Sequence, residues 1–130
     1  MEKPNDLFAG THEDKKDWQG RDLQNAALGD ADLSYANLEA ANLSYADLRH
    51  ANLQYASLQD ANLRGANLQR VNLRFSILRD TNLEGADLRG ADLRDINLQN
   101  TNLEGAKLNG AKFTYDPEVF NLSPKKENKP

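Results

Sequence analysis

The chain has 130 residues, with 16 Lys and Arg against 20 Asp and Glu, so its formal net charge is −4 at pH 7. This length predicts one domain, and the interleaving of its basic and acidic residues argues against a continuous basic stripe for nucleic acid. The absence of cysteine from the sequence excludes a disulfide framework and thiolate chemistry.

Residues 1–15 precede any regular pattern. Asn5 or Asp6 is suited to cap one or two helical turns, which Gly10 is suited to end. We therefore predict a short N-terminal helical cap, because the end of a repetitive coil exposes apolar side chains that need cover. The first residues lack the apolar core of a signal peptide, and no apolar run reaches membrane-spanning length. A cytoplasmic protein is the expectation.

Residues 16–115 repeat every five positions. Leucine occupies every fifth position from Leu23 to Leu108, and the residue before it is Asp or Asn in most repeats. Two positions before the leucines from Leu28 onward the residue is most often Ala, which shares one face with the leucine on an extended segment. These positions predict a core. Its representative large residues are Trp18, Leu23, Leu43, Leu63, Leu83, Leu103 and Phe113.

The repeating unit is A-(D/N)-L-x-x, as in Ala41-Asn42-Leu43-Ser44-Tyr45 and Ala86-Asp87-Leu88-Arg89-Gly90. It resembles the repeat of the pentapeptide-repeat family, in particular its short cyanobacterial-type members. The resemblance implies an all-β fold, a right-handed quadrilateral parallel β-helix with four pentapeptides per coil. Twenty repeats then give about five coils and a rod roughly 24 Å long, at one strand spacing per coil.

Residues 116–130 leave the register. Pro117 stops further strand pairing, and Val119, Phe120 and Leu122 are available to cover the last coil. The polar remainder is typical of a disordered tail. Longer gyrase-targeting members of the family pair through their C-terminal ends, so a monomer and a weak dimer both stay open.

Four repeats per coil would place residues twenty apart above one another, in vertical columns on the outside. One column contains Tyr35, Tyr55, Phe75, Asp95 and Tyr115. Arg74 and Arg94 lie in the adjoining column, and Ile77 replaces the usual Asp or Asn on the next face. Aromatic and Arg side chains are favoured at interface hot spots, and an exposed apolar neighbour marks a contact patch. The alternative is a structural brace of stacked rings. The partner-binding candidates are Tyr55, Arg74, Phe75, Ile77 and Arg94.

The sequence offers little sign of chemistry. His50 stands between Asp30 and Arg70 in its column, without a second histidine or cysteine at metal-ligand spacing. The glycines at predicted corners match turn geometry, and they form neither a phosphate-binding loop nor a dinucleotide fingerprint. The sequence therefore predicts no catalytic residue, no metal and no cofactor.

The predicted function is a non-enzymatic structural or interaction module, a rigid rod presenting an aromatic and Arg face to a protein partner, with regulation as one possible role. No small-molecule substrate, direct nucleic-acid contact or membrane is expected. The alternative is a DNA-mimic inhibitor or protector of DNA gyrase. B-DNA of the same length carries about 14 negative charges, whereas residues 16–115 hold 13 acidic and 11 basic residues, which disfavours mimicry.

Overall fold

The computed structural model describes residues 16–114. Its strands are two short parallel segments, β1 (Asp92–Leu93) and β2 (Lys112–Phe113), and isolated parallel bridges connect the rest of the described chain. Every bridge joins residues twenty positions apart, beginning with Asp17 and Asn37. One turn of the coil therefore takes four pentapeptides, and the predicted vertical columns are confirmed.

Each pentapeptide forms one straight side and one turn. The N–H of the central leucine donates to a carbonyl nineteen residues further on, as Leu33 does to Asn52 at 2.7 Å. The carbonyl of the same leucine accepts from the N–H three residues on, as from Ala36 at 3.1 Å, which closes a β-turn. The third residue of this turn has a positive φ, 63° at Tyr35. Sides and turns alternate, so the coil has four corners.

The leucine register fills the interior. The leucines from Leu28 to Leu93 are at most 2 % exposed, and burial of each contributes roughly 1.5–3 kcal/mol before chain entropy is subtracted. The predicted core is confirmed at Trp18, Leu23, Leu43, Leu63, Leu83 and Leu103, which are buried, while Phe113 is partly buried and packs against them. Polar residues at the inward small position are satisfied: the Ser76 hydroxyl donates to the carbonyl of Leu73 at 2.6 Å.

Two predicted elements lie outside the described residues. These are the N-terminal helical cap within residues 1–15 and the C-terminal cap and tail of residues 116–130, with Val119, Phe120 and Leu122. Within residues 16–114, no helix is long and apolar enough to cross a membrane.

Candidate functional site

Three aromatic rings stack along one corner of the rod. The ring centroids of Tyr35 and Tyr55 are 4.9 Å apart with planes 3° from parallel, and those of Tyr55 and Phe75 are 4.9 Å apart at 9°. The three rings, which we call the aromatic column, stand one above another because each closes the same turn in successive coils. Their flat faces are turned toward one another, so the column presents ring edges and the two tyrosine hydroxyl groups to solvent.

The backbone beneath the aromatic column is strained. All three aromatic residues have φ of 63°, in the left-handed region. A bulky side chain rarely adopts this region, and an L-residue there costs roughly 1–2 kcal/mol. Ring stacking contributes about 0.5–1.5 kcal/mol per pair. Because only two ring pairs stand against three strained residues, stacking offsets part of the strain and not all of it.

Arg74 closes the lower end of the aromatic column, where the next residue of the column is Asp95. Its guanidinium carbon lies 4.8 Å from the centroid of the Phe75 ring, and its Nη2 is 2.7 Å from Oδ2 of Asp95. This hydrogen bond is the main cause that lowers the pKa of Asp95 below its ordinary value, with a smaller contribution from Thr114. The break that the sequence shows at Asp95 is therefore bridged by a cation stacked on Phe75.

Ile77 lies on the side of the coil that follows the aromatic column. Ile77 is 44 % exposed and Phe75 is 39 % exposed, so the prediction that both point outward is confirmed. Ile77 forms parallel bridges with Ser57 above and Asn97 below. The neighbouring Ser76 is buried with its hydroxyl hydrogen-bonded, so Ser76 is accommodated without turning Ile77 inward.

Arg94 does not join this group by a direct bond. Its Nε and Nη2 donate to Oδ1 and Oδ2 of Asp92, at 2.9 and 2.8 Å. This pair of parallel hydrogen bonds within one turn, which we call a fork, is the main cause that lowers the pKa of Asp92. The same arrangement recurs at Asp47 with Arg49 and at Asp87 with Arg89. Sequence reasoning missed these forks, although the recurring D-L-R tripeptide was a usable signal.

The Asn and Asp residues before the leucines act mainly within their own turns. The side-chain oxygen of Asn42 accepts the main-chain N–H of Ser44 at 3.0 Å, and equivalent bonds recur along the rod. In the vertical column of Asp22, Asn42, Asn62, Asn82 and Asn102, the Nδ2 of Asn102 donates a coil-to-coil hydrogen bond to the Oδ1 of Asn82 at 3.4 Å. These residues therefore hold turns first and connect coils second.

The remaining polar groups of the described chain offer little for catalysis. His50 Nδ1 is 3.8 Å from an exposed carboxylate oxygen of Asp30. Within residues 16–114, no group of three or more His, Asp or Glu side chains is placed to hold a metal ion. A cleft of about 170 Å³ is lined by Leu93, Asp95, Ile96, Leu98, Phe113 and Thr114. Its single carboxylate, Asp95, is already held by Arg74.

Comparison with known proteins gives a consistent result. A family model described as pentapeptide repeats matches in eight copies, over residues 22–54, 56–95 and 76–114. A pentapeptide repeat protein from the thylakoid lumen of Arabidopsis thaliana is 24 % identical and superposes with a TM-score of 0.77, covering 86 % of this chain and 81 % of that one. Among curated proteins, none matches at a significant level.

Two further solved structures match most of this chain but superpose on it less well. Rfr23, a pentapeptide repeat protein from the cyanobacterium Cyanothece 51142, is 36 % identical over 86 % of this chain and 72 % of its own, with a TM-score of 0.47. Trypsin-treated QnrB1, a plasmid-mediated fluoroquinolone resistance protein, is 20 % identical over 78 % and 68 %, with a TM-score of 0.32.

Proposed function

Because the chain belongs to the pentapeptide-repeat family, whose fold is a right-handed quadrilateral β-helix, we propose that it is a non-enzymatic interaction module that binds a protein partner through its aromatic corner. The observation that carries the proposal is the exposure of Phe75 and Ile77, at 39 % and 44 %, two positions apart on a rod that buries its leucines. Adjacent exposed apolar side chains beside aromatic and guanidinium groups are typical of contact surfaces.

The five candidate residues take different roles in this proposal. Tyr55, Phe75 and Ile77 supply the apolar contact area. Arg74 borders this area with its guanidinium fixed by Phe75 and Asp95, so little side-chain entropy remains to be lost on binding. We place Arg94 at the edge, because its hydrogen-bonding fork is committed to Asp92.

A non-enzymatic role is supported by the shape of the described chain. Catalysis needs several polar groups that converge in a concave and water-poor pocket. Here the interior is filled mainly with leucine and alanine, and the charged side chains lie on the outer surface. Gyrase inhibition by DNA mimicry has less support, because residues 16–115 carry 13 acidic against 11 basic residues. Inhibition of gyrase supercoiling at low micromolar concentration would instead favour mimicry.

The test is affinity capture from source-cell lysate with three baits. The first is the native chain, and the second carries Phe75→Asn and Ile77→Asn. Asn tolerates positive φ and occupies the register of Ile77 one coil below, so this bait is expected to stay folded by circular dichroism. The third bait, Tyr45→Asn, removes an exposed aromatic residue from the same turn position on another corner.

We expect a protein that the native and Tyr45→Asn baits retain and the double variant loses. Equal capture by all three baits would contradict the proposal. Unfolding of the double variant would also contradict it, because Phe75 and Ile77 would then be structural rather than available for contact.

A further inference from the structure

The side of the coil that contains Ile77 has two chemically different borders. We call this side, with Asn37, Ser57, Ile77 and Asn97 in vertical order, the Ile77 face. One border is the aromatic column. The other is the next corner, which includes Asp60 and Asp80, both exposed. Phe75 and Asp80 are five positions apart in the chain, so their Cα atoms are at most about 18 Å apart.

Carboxylates dominate the second border. Asp80 has a long ion pair with Arg79, at 3.8 Å, and Glu39 accepts a hydrogen bond from the Ser57 hydroxyl at 3.0 Å. Asp60 is exposed with no ion pair among the described residues. The carboxylates of Glu39, Asp60 and Asp80 therefore share this border with one cation, Arg79. At the other border, the cation beside Phe75, which is Arg74, is already neutralised by Asp95.

From this juxtaposition we infer that the Ile77 face binds a protein segment in which an apolar side chain is flanked by Lys or Arg. This inference rests on the proposed function and adds the chemistry of the partner. The apolar side chain packs on Ile77 and the edge of the Phe75 ring, and the cation pairs with Asp60 and Asp80. In an extended segment, side chains two residues apart point to the same side and are about 6.6 Å apart. The apolar side chain and the cation of such a segment can therefore both point toward the rod.

A second copy of this chain fits the Ile77 face poorly. If two antiparallel rods met with their aromatic columns together, the two-fold axis would bring their Asp60 and Asp80 borders together as well. Like charges at an interface are strongly unfavourable. If two parallel rods met instead, each aromatic column would cover the carboxylates of the other and leave them without a cation. An acidic partner or a nucleic-acid backbone is disfavoured by the same carboxylates.

The test uses the full chain, labelled with ¹⁵N, and three blocked peptides. The probe is acetyl-Lys-Ser-Leu-Ser-Lys-amide. One control peptide replaces Leu by Ser, and the other replaces both Lys by Glu. We expect the probe to shift the amide signals of the Ile77 face with a Kd on the order of 1 mM, at least fivefold tighter than either control.

Matched variants separate specific binding from general charge attraction. Asp60→Asn with Asp80→Asn, and separately Ile77→Asn, should each weaken the probe at least fivefold. Glu84→Gln with Glu104→Gln removes two carboxylates from a column beside glycine corners and should change the Kd by less than twofold. Equal binding of the serine control, equal shifts around Glu84, or no shift at the Ile77 face would each overturn the inference.

The same Asp60 and Asp80 variant also separates this inference from the proposed function. Used as a bait, it should lose the partner that depends on Phe75 and Ile77. If the partner is lost by the Phe75 and Ile77 variant but kept by the Asp60 and Asp80 variant, the proposed function stands and the inferred partner chemistry is wrong. If neither variant loses a partner, both fail.

Discussion

Tyr55 stacks on a ring at each face, so its replacement tests whether the aromatic column stabilises the rod. Tyr55→Asn removes two ring pairs, each with a centroid distance of 4.9 Å, and each pair contributes about 0.5–1.5 kcal/mol. Asn also relieves part of the left-handed strain, at roughly 1–2 kcal/mol for an L-residue. The raw change in the free energy of unfolding therefore mixes two effects of opposite sign.

Tyr45 provides the matched control for the Tyr55 experiment. It has φ of 60° against 63° and is 52 % exposed against 47 %, but its ring lies over Gly65 rather than in the aromatic column. Tyr45→Asn thus carries the same relief of strain without the loss of ring pairs. We expect Tyr55→Asn to be less stable than Tyr45→Asn by about 1–3 kcal/mol, and Tyr35→Asn, which loses one pair, by about half as much.

Urea unfolding at pH 7 measures these differences, with an unchanged slope as the check that the same surface unfolds. Equal free energies for the Tyr55 and Tyr45 variants would refute the reasoning. The rings would then stack without stabilising the rod, and their alignment would have to be explained by contact with a partner. Equal losses at Tyr35 and Tyr55 would also count against a pairwise stack.

Two other features of the rod give predictions. Gly65→Ala should destabilise the rod more than Gly85→Ala in urea unfolding, because a Cβ at Gly65 would overlap the Tyr45 ring whereas the space at Gly85 is open. Both variants share the left-handed cost of about 1 kcal/mol, and equal losses would show that the ring moves away freely. The pKa of Asp87 is lowered chiefly by its hydrogen bond from Arg89, and the unfolded chain has an ordinary value of about 3.9. The Asp87–Arg89 pair therefore stabilises the fold fully above the unfolded pKa and less as pH falls through the folded pKa of Asp87. Arg89→Gln should flatten the loss of stability between about pH 5 and pH 2. An unchanged pH profile would contradict the stabilising role of this pair.

The interior could be predicted from the five-residue period itself, whereas the vertical columns needed the resemblance to the pentapeptide-repeat family, which implies four repeats per coil. A leucine every five residues with a small residue two positions earlier leaves one arrangement of buried faces. The turn geometry then places Tyr35, Tyr55 and Phe75 on one corner. The side-chain directions of Phe75 and Ile77 followed from the same register, and their exposure confirms them.

The hydrogen bonds of the outer side chains could not be predicted in the same way. A column determines which Cα atoms are neighbours, but it does not determine the hydrogen bonds of the side chains. Arg74 and Arg94 lie in the same column and donate to different carboxylates. Arg94 follows Asp92 by two residues and folds back onto it. Arg74 follows Asn72, which offers no carboxylate, so its guanidinium reaches the next coil and Asp95. The identity of the residue two positions earlier decides between the two outcomes.

Ile77 is the candidate contact residue that the fold explains least. Arg74 contacts Phe75 and Asp95, although its buried Nε has no hydrogen-bond partner among the described residues. The rings of the aromatic column stack on one another. Ser57 and Asn97 make the same parallel bridges as Ile77 with polar side chains, so main-chain pairing does not require an apolar residue there. An isoleucine left 44 % exposed gives up favourable burial. Contact with another molecule would restore that burial, which is why the experiments on partner binding centre on Ile77.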